Sequence, residues 1–391
     1  MKVTSVEIWD CNTSLPFHHP VIIRINTDEG ISGLGEVGLA YGTGHSAGAY
    51  FVKNLAESFI LGADPLKSEK LWDTLFRNTF WAQGGGPVVF GAISAIDIAC
   101  WDIKGKTFNQ PIYQLLGGKT NEKLCTYASQ IQFGWDTDSL KRLGRPEEYA
   151  AAALAAVNEG YQAIKVDPLT FDEHGLRLQN LNRILPNYLH RMVYKRIKAI
   201  REAVGEEIDI LIELHASTNV TGAIQIGRVL DEFGCLFIEE GVHYLNPALQ
   251  KKMSRRLKTP MAAGERIYTR WGFRPYLENQ SLDLLQPDLC LAGGLTEGKK
   301  ICDYAQIYDL TVQLHVCGSP ISTAAALQLE AVIPNFQIHE HHVVALKSAN
   351  RELCIPDYQP NQGYFVTPDS PGLGIELNEP VLQKSPHIIV Q

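Results

Sequence analysis

From about residue 124 the chain alternates short β-type runs with helix-length stretches, and this alternation limits the possible folds more than any other feature. The runs are LCTYAS, YQAIKVD, IDILIEL, CLFIEE, PMAAGE, LDLLQPD, TVQLHV and NFQIHE, eight in number. Between most of them lie EEYAAAALAAVNEG, VYKRIKAIREAVG, AIQIGRVLDEFG, PALQKKMSRRLK, RWGFRPYLEN, TEGKKICDYAQIYD and STAAALQLEAVI. Repeated βα units build a parallel sheet. Eight strands over roughly 230 residues predict an α/β fold closed into a βα barrel. A doubly wound sheet usually has fewer strands and a glycine-rich first turn.

The first third of the chain reads differently. VTSVEIW, PVIIRINT and ISGLGEVG form a meander with a tight turn at Asp28-Glu29-Gly30, and FVKNLAESFILG, SEKLWDTLFRN and AISAIDIACWDIKGK follow with helical periodicity. The expected organisation is an α+β domain over 1–123, the barrel over 124–355, and a segment 356–391 that returns to the first domain. With 391 residues and 45% hydrophobic composition, the chain is large enough for both cores.

A net charge of −8 argues against nucleic acid or an anionic membrane as partner. The basic tract at Lys251, Lys252, Arg255, Arg256 and Lys258 reads as a solvated helix face. The 8 cysteines show no CxxC spacing and are expected to be reduced core residues. With no signal-peptide pattern and no membrane-length apolar run, a cytoplasmic protein is expected.

Barrel enzymes carry their chemistry at the C-terminal ends of the strands. Those ends hold Lys165 and Asp167, Glu213 and His215, Glu239 and Glu240, Glu265 and Arg266, Asp288, His315, and Glu340 with His341. Glu213, Glu239 and Glu265 follow one another at intervals of 26 residues, one βα unit, and so fall on neighbouring strands. Three massed carboxylates repel unless a cation neutralises them, and an oxygen-only set favours a hard ion such as Mg²⁺. His215 leaves the same face beside them, as an acid for a departing hydroxyl or as a group completing the metal's surroundings. Asp288 with His315 makes either a general base or a structural pair.

The segments AAGERIYTR, LQPDLCLAGGLTEGKKI, LHVCGSPISTAAAL and the ELH at 213–215 resemble the enolase superfamily, mandelate racemase group, and are most similar to its sugar-acid dehydratases, those of D-galactonate above all. AIDIACWDIKGK with PIYQLLGG resembles the capping domain of that family, so the likeness covers nearly the whole chain. It implies an enolase-type barrel under an N-terminal cap, and Mg²⁺ held by Glu213, Glu239 and Glu265. It further implies His215 as acid, the Asp288–His315 dyad as base, Lys165 as a positive charge near the substrate carboxylate, and substrate contact by Glu340, with Asp167 and Arg266 as further candidates. The implied reaction removes the proton α to a carboxylate and expels the β-hydroxyl, leaving a 2-keto-3-deoxy sugar acid. A small-molecule sugar acid is the expected partner, and a homo-oligomer the expected assembly.

Several positions depart from that pattern. Lys165-Val166-Asp167 stands where many members have Lys-x-Lys, which speaks against racemisation unless Asp167 itself acts as a base. Glu239-Glu240-Gly241-Val242-His243 replaces Glu-Glu-Pro, so glycine opens a different loop path that affects His243 and Tyr244. The segment after Asp167 is long for a βα connection. In the cap, LPFHHP and LAYGTGHSAG offer His18, His19, Tyr41 and His45 for substrate contact without a means of choosing, and TFWAQGGGPVVF suits the cap–barrel junction. Two other readings stay open: a cycloisomerase or epimerase working through the same enolate, and a non-catalytic sugar-acid binding protein.

Overall fold

The computed structural model describes residues 1–136 and 139–391. Strands β1 (Val3–Asp10), β2 (Val21–Thr27) and β3 (Ser32–Val37) form the expected meander. The chain's last strand, His387–Val390, pairs antiparallel with β1, so the sheet runs from it through β1 and β2 to β3. Helices follow at His45–Leu55, Ser68–Asn78 and Pro87–Phe108. The long third helix is buried around most of its surface because it lies between this sheet and the barrel. It approaches β3 closely: a Cβ at Gly35 would sit 1.9 Å from the Ala95 carbonyl oxygen, and one at Gly33 2.1 Å from that of Ala99. Any other residue there would push helix and sheet apart.

The second part is the predicted barrel. Its strands are β4 (Leu124–Ser129), β5 (Ala163–Val166), β6 (Asp209–Glu213), β7 (Ile238–Glu239), β8 (Met261–Ala263), β9 (Leu284–Leu285), β10 (Thr311–Val312) and β11 (His339–His342). All are parallel, in the order β10-β9-β8-β7-β6-β5-β4-β11. The circle closes where Val312 bridges Phe336, in the segment that leads into β11. Each of the eight predicted runs overlaps one strand: β4 fills LCTYAS, β11 begins inside NFQIHE and continues to His342, and the other six strands are shorter than their runs. Helix Asn187–Val204 begins earlier than VYKRIKAIREAVG suggests, because Pro186 starts it and Leu189 is buried.

Alternation along the strands stacks the interior in layers. Tyr127, Ala163, Leu211, Phe237, Ala262, Leu284 and Ile338 form one apolar cluster. Two residues further along each strand come Ser129, Lys165, Glu213, Glu239, Gly264, Gln286 and Glu340, a polar layer. Two further still are Asp167, His215, Gly241, Arg266, Asp288 and His342, joined by His315 from the seventh unit. The apolar layer seals the bottom, so polar groups above it meet only each other or what enters from the mouth.

Buried cap carboxylates tie the two parts together at the starts of barrel helices. Glu36 accepts hydrogen bonds from the Ser319 N–H, the Ser319 hydroxyl at 2.6 Å and the Ser322 N–H. Asp97 accepts the Thr296 N–H at 2.9 Å. Helix N-termini favour such anions, but burial pushes both carboxyls up to about 7 against these donors. A raised folded pKa means that the folded state keeps protons the unfolded chain has already lost. The contribution of each group is therefore fully present below its unfolded pKa and falls as pH rises toward 7, by at most roughly 1.4 kcal/mol per pH unit. Melting curves between pH 5 and 7.5 check this: Glu36→Gln and Asp97→Asn are expected to lose less stability over that interval than the unchanged protein.

All eight cysteines are free, and six of them are buried. Among the described residues no helix is long and apolar enough to cross a membrane.

Candidate active site

The uppermost layer contains two aspartate–histidine pairs of the same design. His315 Nδ1 lies 2.8 Å from Asp288 Oδ2, and His215 Nδ1 lies 2.7 Å from Asp167 Oδ2. Each aspartate is itself fixed by a backbone N–H, that of Cys290 at 2.7 Å for Asp288 and that of Leu169 at 2.8 Å for Asp167. His215 and Ala216 take left-handed backbone angles, φ 46° and 51°, which turn the chain sharply after β6. Such conformations in residues with side chains concentrate where a site over-determines them. With Nδ1 occupied in each ring, Nε2 is left for other partners. Burial lowers the pKa of both histidines, yet both end up raised: the Glu265 charge and the Asp288 bond outweigh burial for His315, and Asp167 does so for His215.

Asp167, expected at the substrate, is thus engaged with His215 and is only 4% exposed. Arg266, the other added candidate, pairs with the buried Glu240 and lies 3.4 Å from Glu265. Gly241 is not in the left-handed region; the turn there is made by Glu240, at φ 43°.

The polar layer beneath is organised around one amine. Lys165 Nζ is 2.6 Å from Glu239 Oε2, 2.9 Å from Glu340 Oε1 and 3.6 Å from Glu213 Oε2. Glu340 also accepts the Ser129 hydroxyl at 2.6 Å and the Val316 N–H at 3.0 Å. It sits inside β11 rather than at its end, under the cavity. Gln286, which the sequence reading passed over, donates to both Glu239 and Gln313.

The three glutamates foreseen as metal ligands lie at the ends of adjacent strands, with Glu213 and Glu239 in register. Their side chains do not converge on one point, and among the described residues no three His, Cys, Asp or Glu groups are arranged to hold a metal. Lys165 draws Glu239 aside, while Glu265 Oε2 turns to His315 Nε2 at 3.0 Å. Even so, Glu213 Oε2 and Glu239 Oε1 are buried and accept no hydrogen bond. Orphaned carboxylate oxygens next to a third carboxylate fit a hard divalent cation.

Above lies a cavity of about 710 Å³. Asp167, His215, Glu265, Arg266, Asp288, His315 and His342 line its barrel side, and Phe17, His18 and Tyr41 its cap side. Of the four cap residues offered by the sequence, His18 and Tyr41 line this cavity. His45 pairs with Asp10 at 2.7 Å and stacks on His19 at 4.7 Å, and neither ring lines the cavity. Tyr244 lines the wall, while His243 does not; Pro87, from the glycine-rich tract, also does.

The long connection after β5 supplies Leu169, Phe171, Arg177, Leu178 and Leu181 to the wall. It is locked by Arg196, which is 0% exposed and donates to the carbonyls of Gly144, Pro168, Phe171 and Asp172. With all its donors directed at carbonyls, the guanidinium fixes two wall loops at once.

Residues 148–381 match the family described as Enolase C-terminal domain-like, and residues 11–117 match the Mandelate racemase / muconate lactonizing enzyme, N-terminal domain. The chain belongs to the enolase superfamily. A D-galactonate dehydratase from Ralstonia nicotianae is 32% identical, over 92% of this chain and 89% of its own. A D-xylonate dehydratase from Haloferax volcanii is 31% identical, over 96% of this chain and 88% of its own. A solved structure of an enolase superfamily member from Salmonella Typhimurium superimposes with a TM-score of 0.97 at 53% identity, covering 100% of both chains. This superfamily member is an enzyme, with relatives named as dehydratases across nearly its full length.

Proposed function

We propose that the enzyme dehydrates a sugar acid, an aldonate such as galactonate, gluconate or mannonate, to the 2-keto-3-deoxy acid, with Mg²⁺ as cofactor. The observation that carries this reading is the pair of histidines on one cavity, each held through Nδ1 by a carboxylate. Elimination needs one group to take a proton and another to give one.

In this reading His315 Nε2 takes the proton from C2, and the C–H electron pair passes into the carboxylate as an enediolate. His215 gives its Nε2 proton to the C3 hydroxyl, the C3–O bond breaks and water leaves. The resulting enol loses its C2 hydroxyl proton, gains one at C3 and becomes the 2-keto acid. Asp288 and Asp167 hold each ring in the required tautomer and balance the charge it acquires. Glu213, Glu239 and Glu265 would hold magnesium, which when bound supplies positive charge to the developing enediolate. Lys165 adds charge to the same layer.

A second reading rests on the same likeness between the dyads. His215 with Asp167 is built as His315 with Asp288 is, so it could return a proton to C2 from the opposite face, which is epimerisation. One screen separates the cases: a sugar-acid library in D₂O, read for 2-keto product and for deuterium at C2. Dehydration predicts 2-keto product that disappears with EDTA and returns with Mg²⁺. Deuterium at C2 with inversion of that centre and no loss of water would establish the epimerase instead. No conversion of any acid by the Mg²⁺-loaded protein would leave a binding protein.

A further inference from the structure

Two cations in the cavity wall stand without a counterion. Arg142 and Arg177 both line the cavity, and among the described residues neither guanidinium makes an ion pair or a hydrogen bond. Carboxylates outnumber cations in this chain, yet the wall segments 140–142 and 169–181 bring Lys141, Arg142 and Arg177 to the cavity and no carboxylate. Lys141 is paired with Asp136 at 2.8 Å. The carboxylates that do line the cavity, Asp167, Glu265 and Asp288, each lie within 3.0 Å of a histidine nitrogen. The acidic side chains close to Arg177 in the chain are engaged as well. Asp172 Oδ1 accepts the His174 N–H at 2.8 Å and the Leu176 N–H at 2.9 Å, and Glu173 lies 3.7 Å from the His174 ring.

Both arginines are carried on braced backbone. Arg142 stands between Lys141, whose N–H donates to the Phe133 carbonyl at 2.7 Å, and Leu143, whose N–H donates to that of Gln132 at 3.0 Å. Arg177 is held in a hairpin by its bridge to Phe171, by the Leu178 N–H on the Thr170 carbonyl at 3.0 Å, and by the Asp172 N–H on that of Leu176 at 2.8 Å. The hairpin turns at Gly175, φ 76°, against Arg142: a Cβ there would sit 2.8 Å from the Arg142 carbonyl oxygen and 3.5 Å from its Cβ. Arg196 bonds to carbonyls on both stretches, those of Gly144 and Phe171.

Their place follows the direction of the reacting chain. Around the barrel the strands run β10-β9-β8-β7-β6-β5-β4. His315 follows β10 and His215 follows β6, while Arg177 and Arg142 lie in the connections after β5 and β4. An acid with C2 at His315 and C3 at His215 therefore points C4 and the rest of its chain toward the arginines. A guanidinium presents a fixed fork of N–H donors that matches a carboxylate or a phosphate bidentately, and such charged bonds are about twice as strong as neutral ones. A terminal hydroxyl meets that fork with a single neutral acceptor.

We infer that Arg142 and Arg177 form a subsite for a second anionic group at the far end of the substrate, a terminal carboxylate or phosphate. The preferred acids are then aldarates or phosphorylated aldonates rather than acids that end in a hydroxyl. This rests on the dehydratase reading, which places C2 and C3.

The test compares, with Mg²⁺ present, three acids of one configuration that differ only at C6: D-gluconate, D-glucarate and 6-phospho-D-gluconate. D-galactonate against galactarate and D-mannonate against D-mannarate extend it to other configurations. In the unchanged protein, kcat/KM for the acid with a terminal anion is expected to exceed that for its hydroxyl-ended parent about 30-fold, and in the double variant Arg142→Gln, Arg177→Gln the ratio falls to about 1. Whichever of glucarate and the phosphate is preferred identifies the anion. Both side chains are exposed, so the variant is expected to fold; should it not, Arg177→Gln alone carries the comparison. The assays are repeated at 1 M salt, where a screening length of about 3 Å removes long-range attraction. Selectivity that survives there in the unchanged protein and is missing in the variant supports the subsite. Selectivity that vanishes entirely at 1 M salt marks steering alone and overturns it, as does a ratio near 1 in the unchanged protein or an equal ratio in both proteins. If the unchanged protein converts none of these acids, the dehydratase reading fails on its own account. Calorimetric binding of the same acids then decides the subsite: tighter binding of the anion-ended acid, lost in the variant, supports it, while equal binding of both kinds, or none, overturns it.

Discussion

His315→Asn is expected to lower kcat about 1,000-fold and to abolish exchange of the C2 proton with solvent, while His215→Asn is expected to lose elimination but keep exchange. A positioned general base typically contributes 10²–10⁴-fold, and His315 is the ring whose Nδ1 is anchored by Asp288 and whose Nε2 faces Glu265. Asparagine keeps a polar group of similar reach toward Asp288, so that carboxylate is not left bare in the interior, and the melting temperature should shift little. The two substitutions fail at different bonds. Without the base no enediolate forms, so deuterium never enters C2. Without the acid the enediolate forms and collapses back, so deuterium enters but water stays. Mass spectrometry of recovered substrate in D₂O distinguishes them. Exchange that survives His315→Asn and vanishes in His215→Asn would reverse the assignment. A Mg²⁺ titration of each variant is the control, since removing the imidazole releases Glu265 from its contact.

The barrel was legible because helix and strand leave different periods in the chain, and every predicted run overlaps a strand. The chemistry at strand ends was legible for a related reason: a residue at the mouth is freed from the alternation that keeps the interior apolar. Carrying the two-residue step further back would also have placed Gln286 and Gln313 in the polar layer, and further forward His342 in the cavity. Partnerships were less legible. Asp167 and His215 are 48 residues apart, and nothing local marks one as the other's support. Glu265 stands next to the Gly264 position of the polar layer rather than in it, so equal spacing of the glutamates concealed their unequal setting. The cap histidines could not be ranked from sequence because their fates depend on Asp10, Tyr41 and the barrel mouth, all distant in the chain. Arg196 looked like one basic residue among many on a helix. Only the fold shows it donating to backbone carbonyls from two loops.

Lys165→Met is expected to destabilise the enzyme by about 3–5 kcal/mol, the range for breaking a buried ion pair from one side. The amine is 1% exposed and faces Glu239, Glu340 and Glu213 within 3.6 Å. Despite the burial penalty, the Glu239 and Glu340 charges hold its pKa well above the ordinary lysine value, so it stays protonated at neutral pH. Methionine fills much of the same volume, so the loss reflects charge rather than a cavity. The double variant Lys165→Met, Glu340→Gln removes one of the stranded carboxylates and should recover part of the loss, giving a coupling of roughly 1–3 kcal/mol in urea unfolding. Strict additivity would mean that Glu340 is stabilised by Ser129 and the Val316 N–H alone. The same variant bears on the metal. Lys165 and a divalent ion would both draw on Glu239, one as a competitor and the other as a ligand-bound charge, so losing the amine removes a positive neighbour from the ion. Added Mg²⁺ should therefore raise the melting temperature of Lys165→Met more than that of the unchanged protein. An equal shift in both would place the ion away from this layer, and with it the charge on which the proposed enediolate depends.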